Sequence, residues 1–258
     1  MTHPYFTKAR HPRVLAHRGL ITAEGEDSGI WENSAAAFAA AHAAGVEYIE
    51  TDCQVTADGD VVLFHDSTLA RLVGDARAVR EVRTRELRET FSAHGGLLTV
   101  AEALDSFPEV RFNIDVKTPA AVDPLGPILA EHSHRVLVTS FSDANRRAAV
   151  AAVLRAGASL RPATSGGSRT IAALRALSAL HLSPARVLRE IDALQIPERH
   201  GALTVLTPAL VRAAHRLGVE IHVWTVNDAG DMRRLMAAGV DGIVSDRADV
   251  ALRALAEE

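Results

Sequence analysis

Eight short apolar runs suited to β-strands recur along this chain, six of them followed by a stretch with helical punctuation, and that alternation limits the folds open to it. The first strand, at 13–16, leads to a helix over AAAFAAAHAAG, with Asn33 or Ser34 as its N-cap and Gly45 in the C′ position. The second strand carries Glu50 and Asp52. A helix opens at Thr99, where Glu102 completes a capping box, and stops at Pro108. The third strand is RFNIDVK at 111–117, and the fourth lies at 136–139, before a helix from Ser142 to Gly157. A weak fifth strand at 159–163 precedes a Gly/Ser loop and a helix around 171–180; the sixth strand is 193–196. Thr207-Pro208 places a cap and then Pro at N1 of a helix that Gly218 ends. Strand seven is 222–226, Asn227 caps the helix that Gly239 ends, and strand eight is 242–245. Crossover connections make consecutive strands parallel neighbours. Eight such units in 258 residues predict a (β/α)8 TIM barrel, one domain over 1–258, rather than an open doubly wound sheet.

One stretch, YIETDCQVTADGDVVLFHD at 48–66, breaks the alternation. The interval from Asp52 to Val61 is too short for the crossover helix that a parallel neighbour needs. Asp58-Gly59 between alternating apolar residues is a hairpin signal. The second arm therefore turns back and returns His65 towards Glu50 and Asp52, which share one face of their strand because they are two residues apart. The following segment, 67–98, reads as polar and irregular. Together they predict a small insertion after strand two, about 53–98.

Function in such a barrel sits at the C-terminal ends of the strands. There the sequence places His17 and Arg18 on strand one, Glu50 and Asp52 on strand two, and Asp115 and Lys117 on strand three, with His65 joining from the hairpin. Three adjacent carboxylates repel one another unless a cation neutralises them. A divalent ion held by Glu50, Asp52 and Asp115 satisfies that requirement, since hard cations take oxygen ligands. Arg18 and Lys117 suit an anion bridging to the ion, and phosphate matches the guanidinium fork. The two histidines then supply general acid and base. Blander readings stand beside these. Asp115 with Lys117 also reads as a plain barrel salt bridge, and Trp224 as either pocket wall or core. His222 reads as core, the remaining histidines as surface, and Cys53 as a small buried hydrophobe. The GVDG run at 239–242 suggests a phosphate loop, which Asp246 at the end of strand eight argues against.

Composition excludes several classes. The net charge of -4, with no basic run, argues against nucleic acid as a partner. Cys53 is the sole cysteine, so no disulfide framework exists and a reducing compartment is compatible. The first twelve residues contain no apolar signal-peptide core, and no apolar run approaches the ~18 residues of a membrane span. With aromatics at 4%, little material remains for lipid docking. A cytoplasmic location without stable membrane association is expected; nothing marks an oligomer interface.

His17-Arg18-Gly19, Glu32-Asn33-Ser34, Glu50-Thr51-Asp52, His65-Asp66, FNIDVK, HVWTVND and GVDGIVSD occur in this order. In that set the chain resembles the glycerophosphodiester phosphodiesterase family from strand one to strand eight. The resemblance implies a barrel with an insertion after strand two, one divalent cation (Ca2+ or Mg2+), and hydrolysis of small glycerophosphodiesters to glycerol 3-phosphate and an alcohol. It implies His17 and His65 as the acid/base pair, Glu50, Asp52 and Asp115 as metal ligands, and Arg18 and Lys117 as phosphate contacts. Glu32 and Asn33 match the Glu-Asn pair, holding the first-strand loop and lining the site. Two departures stand out. The third metal carboxylate is more commonly Glu, so Asp115 falls one methylene short. Trp31 replaces the usual Pro before Glu-Asn, after a lengthened loop at 20–30 that is placed to cover the site. Alternatives on the same barrel are a sphingomyelinase D-like phospholipase and a non-catalytic phosphodiester-binding protein.

Overall fold

In the computed structural model, which describes residues 2–256, the eight strands form a parallel barrel. They are β1 (Arg13–His17), β2 (Tyr48–Val55), β3 (Arg111–Val116), β4 (Val136–Thr139), β5 (Ala163–Thr164), β6 (Ala193–Ile196), β7 (Glu220–Val223) and β8 (Gly242–Ser245). Each pairs in parallel with the next, and β8 returns to β1. Between β5 and β6 the ladder thins to one bridge, Ser165 to Ala193. The helices that alternate with them are α1 (Ala35–Ala43), α2 (Val100–Ser106), α3 (Val122–Ala130), α4 (Asp143–Arg155), α5 (Ser168–Ala179), α6 (Pro208–His215), α7 (Ala229–Ala237) and α8 (Ala248–Ala254). Among the described residues no helix is long and apolar enough to cross a membrane.

Period-two alternation decides which side chains meet. Val14, Ala16, Ile49, Cys53, Phe112, Ile114 and Val116 face outward into the main apolar core beneath the helices. Their partners in alternation face the barrel axis, where Leu15, Tyr48, Leu137, Ala163, Ala193 and Val244 form a second cluster. Tyr5 and Phe6, from a short turn at Pro4–Phe6, close that cluster from the N-terminal end of the strands. Tyr48 donates to the Tyr5 carbonyl at 3.0 Å, and the two rings meet edge-on at 5.2 Å. Each such buried ring contributes about 1.5–3 kcal/mol. The barrel floor is thus plugged by the chain's own first residues.

The hairpin after β2 forms as expected: Val61–Leu63 pairs antiparallel with Cys53–Val55. The segment behind it is more ordered than its polar sequence announces. It makes helices Ala70–Val73 and Thr84–Phe91, and buries Phe64, Leu69, Val79, Leu87 and Phe91 in a cluster of its own.

Several local expectations need correction. The fifth strand is not 159–163 but the pair Ala163–Thr164, because only these residues reach β4. The seventh spans Glu220–Val223, not 222–226. Asp228 caps α7 by accepting from the Asp231 N–H, while Asn227 is used elsewhere. His3, expected at the surface, is buried; it accepts from the Tyr5 N–H and pairs with the Arg161 carbonyl. His222 is core as expected. α3 was not signalled at all, since its sequence contains Pro124, Gly126 and Pro127. Gly126 is there for closeness: a Cβ would lie 2.8 Å from the Ala152 carbonyl of α4.

Candidate active site

A cavity of about 450 Å3 opens at the C-terminal ends of the strands, and the residues predicted from the strand ends meet in it. Register explains why. His17 on β1 stands level with Glu50 on β2; Glu50 stands level with Asn113, and Asp52 with Asp115, on β3. The hairpin brings His65 to the same wall.

Each histidine is tied through Nδ1 to a carboxylate. The His17 ring pairs with Asp246 Oδ1 at 2.6 Å, and Asn227 Nδ2 donates to the other Asp246 oxygen at 2.8 Å. The His65 ring pairs with Asp66 Oδ1 at 2.7 Å, and Arg71 Nε donates to Asp66 Oδ2 at 2.6 Å. A carboxylate only accepts, so Nδ1 carries the proton and Nε2 is left to exchange one with a ligand. His17 Nε2 lies 3.9 Å from Glu50 Oε2. Burial works against charging His17, but Asp246 and Glu50 outweigh it and hold its pKa above the ordinary value. Burial likewise opposes charge on Asp66, yet His65 and Arg71 draw it below the usual carboxylate range.

The cations are held by the predicted carboxylates. Lys117 Nζ sits between Asp52 Oδ1 at 2.7 Å and Asp115 Oδ2 at 2.6 Å. Arg18 Nε lies 3.0 Å from Asp52 Oδ2, too bent for a hydrogen bond, while its Nη1 donates to Glu32 at 2.8 Å. Asp52 is therefore ion-paired twice; burial is overcome by Lys117 and Arg18, and its pKa falls. Burial prevails at Asp115, whose pKa rises despite Lys117. Burial and the charge of Asp52 push Glu50 up to about 8.

Among the described residues no three His, Cys, Asp or Glu side chains already form a metal nest. The donor set nonetheless fits a hard cation. Glu50 Oε2, Asn113 Oδ1 and Asp115 Oδ1 are all buried acceptors with no donor. Such groups cost free energy unless something positive reaches them.

Behind this row, Glu32 and Asn33 brace the site without lining the cavity. Thr51 Oγ1 donates to Asn33 Oδ1, Asn33 Nδ2 donates to Asp52, and Glu32 accepts from both Arg18 and Arg71. Arg18 and Asn33 both hold left-handed backbone, φ +58°, which costs a side-chain-bearing residue about 1–2 kcal/mol. Mutual bonds retain them: the Asn33 N–H donates to the Arg18 carbonyl and the Arg18 N–H to the Glu50 carbonyl. Gly19, φ +93°, lets the chain press against Ala37. The loop at 20–30 does not cover the site. It folds into a short helix, Ala23–Asp27, and Trp31 stacks on His94 at 3.7 Å and packs against Phe91, so the loop is anchored on the insertion.

Trp224 lines the cavity, as one of its two readings proposed, and with Phe141, Ile171, Leu203 and Val205 gives the far half apolar walls. Gln195, also lining it, has a buried Nε2 with no acceptor. Sequence reasoning gave no role to Asp246, Asp66, Arg71, Asn113, Phe141 or Gln195. A signal existed for two of them: Asn113 shares the face of Asp115, and Gln195 interrupts an apolar strand.

The Glycerophosphoryl diester phosphodiesterase family matches residues 15–250. A protein of Mycobacterium tuberculosis described as a probable glycerophosphodiester phosphodiesterase 2 is 37% identical over 244 residues, covering 92% of this chain and 88% of its own. Among solved structures, a glycerophosphodiester phosphodiesterase of Thermotoga maritima superposes with a TM-score of 0.71 at 24% identity, covering 95% of this chain and 99% of its own. An Oleispira antarctica phosphodiesterase in complex with the product sn-glycerol-3-phosphate gives 0.70 at 19% identity, covering 96% and 98%. At these identities the two structures show the fold.

Proposed function

The chain belongs to the glycerophosphoryl diester phosphodiesterase family, and from that premise we propose that it hydrolyses glycerophosphodiesters to glycerol 3-phosphate and an alcohol, with His17 and His65 moving the protons. The observation that carries this reading is that two imidazoles, each fixed by a carboxylate on Nδ1, line the same cavity as Lys117, Arg18 and two orphaned carboxylate oxygens. Such fixed rings suit general base and general acid catalysis at phosphorus. Arg18 and Lys117 supply positive charge for the phosphoryl oxygens. Glu50 and Asp115, with Asn113 beside them, are the residues that would hold a divalent cation, and Asp52 completes the set through its own ion pairs. Such an ion neutralises the carboxylates and draws charge from a phosphoryl oxygen. Asp115, a methylene shorter than the usual Glu, is compatible with this because Asn113 offers a further buried oxygen one level below.

The apolar half of the cavity supports a second reading, a diester that carries a single apolar chain, as in a lysolipid. The deciding experiment incubates the protein with glycerophosphocholine, glycerophosphoethanolamine, glycerophosphoglycerol and lysophosphatidylcholine, and identifies products by 31P NMR. Glycerol 3-phosphate from the first three supports the main reading. Lysophosphatidic acid from the fourth alone would favour the second.

A further inference from the structure

A second cavity, of about 350 Å3, lies on the outer face of the barrel between α4, α5 and the short helix Ala185–Leu188, and we propose that it binds a small, multiply charged oxyanion of the phosphate class. Arg146, Arg147, Arg169, Arg186 and Arg189 line it, against only Asp143 and Glu190.

The acidic members do not neutralise the arginines. Asp143 is spent on the start of α5, accepting from the backbone N–H groups of Gly167, Arg169 and Thr170 and from the Thr170 hydroxyl. Glu190 forms no ion pair among the described residues, and neither do Arg147, Arg169, Arg186 or Arg189; Arg146 has only Asp143, at 3.7 Å. The exception in burial is also Arg146. It is 4% exposed, its Nε has no partner among the described residues, and its one side-chain hydrogen bond, to Thr164 Oγ1, is long at 3.4 Å. A buried guanidinium with an orphaned donor, facing a cavity rimmed by exposed arginines, is a site short of an anion. Guanidinium forks match tetrahedral oxyanions bidentately. A compact concavity, rather than a basic stripe, on a protein of net charge -4 suits a small anion and not a nucleic acid strand. The site is distinct from the catalytic cavity. α5 separates them: Ser168, Ile171 and Arg175 face one, Arg169, Thr170 and Ala173 the other.

The test is calorimetric titration of the intact protein with pyrophosphate, beside a triple variant R169Q/R186Q/R189Q and the single variant R146Q. The triple substitution touches exposed side chains and preserves the fold. Saturable binding to the wild type, weakened at least about tenfold in the triple variant, is expected, since each charge-assisted bond lost costs about that factor. The rate of diester hydrolysis in the triple variant stays unchanged. R146Q, with its melting temperature checked, shows the same loss. Identical titrations for wild type and triple variant, or neither saturable heat below about 10 mM nor sedimentation with phosphatidic acid vesicles, would overturn the proposal. Sedimentation with phosphatidic acid vesicles without pyrophosphate binding would overturn the free-ligand source and leave the headgroup.

Discussion

At the N-terminal end of the barrel, Arg13 donates to both oxygens of Glu220, at 2.9 and 3.2 Å, and gives its remaining N–H groups to the carbonyls of Phe6, Ala9 and Arg10. His222 adds a third contact to Glu220 at 3.1 Å. At the other end, β1 with its neighbours β2 and β3 presents His17, Glu50, Asp52 and Asp115, again as carboxylates, cations and histidines near the axis. There Lys117 and Arg18 do not suffice, and Glu50 and Asp115 each keep an oxygen with no donor. The first end is closed by Tyr5 and Phe6 and both oxygens of its carboxylate are matched, although among the described residues the Tyr5 hydroxyl and His222 Nδ1 find no partner; the second is open, with carboxylate oxygens left unmatched. What separates the structural charge cluster from the reactive one is therefore whether its carboxylate oxygens are all matched, not the residue types it contains.

The largest effect is expected from the histidines of the open end. H17A and H65A are each expected to lower kcat by about 10²–10⁴-fold, the range for general acid–base groups, with KM little changed. Steady-state kinetics on glycerophosphocholine check this. At the closed end the effect moves from rate to stability. E220Q leaves the buried Arg13 uncompensated, and a loss of about 3 kcal/mol in urea unfolding is expected, with turnover per folded molecule unchanged.

The same pair sets a pH dependence. Burial resists charging Glu220, but His222 and Arg13 hold its pKa down at about 2. A carboxyl depressed in the fold stabilises above its unfolded value of ~4.5 and loses that contribution as pH falls towards about 2. Melting temperatures of the wild type should thus drop more steeply than those of E220Q between those limits. The smallest effect is expected at the open end. E50Q replaces a buried acid whose charged form burial and Asp52 already disfavour, so the cation-free variant should be as stable as the wild type or about 1 kcal/mol more so, while losing cation-dependent activity.

The barrel was legible because its punctuation is local: Ser34, Thr99, Ser142 and Thr207 each cap the helix they precede. β5 was misplaced because two paired residues leave almost no period to read. α3 was hidden by two prolines. The site's inner row was legible for the same local reason, since residues two apart on β2 and β3 share a face. Its support was not. Asp246 meets His17 across 229 residues of sequence, and its charge had argued only against a phosphate loop. The loop at 20–30 reads as a cover for the site, whereas Trp31 at its end stacks on His94 of the insertion and anchors it there.

Whether the open end needs a cation of the kind the closed end has built in is decided by glycerol 3-phosphate release from glycerophosphocholine after exhaustive chelation and after return of Ca2+ or Mg2+. Release that chelation abolishes and one ion restores, in the wild type but not in E50Q, is the predicted result. Undiminished release from the stripped protein would contradict it, because Lys117 and Arg18 would then be charge enough.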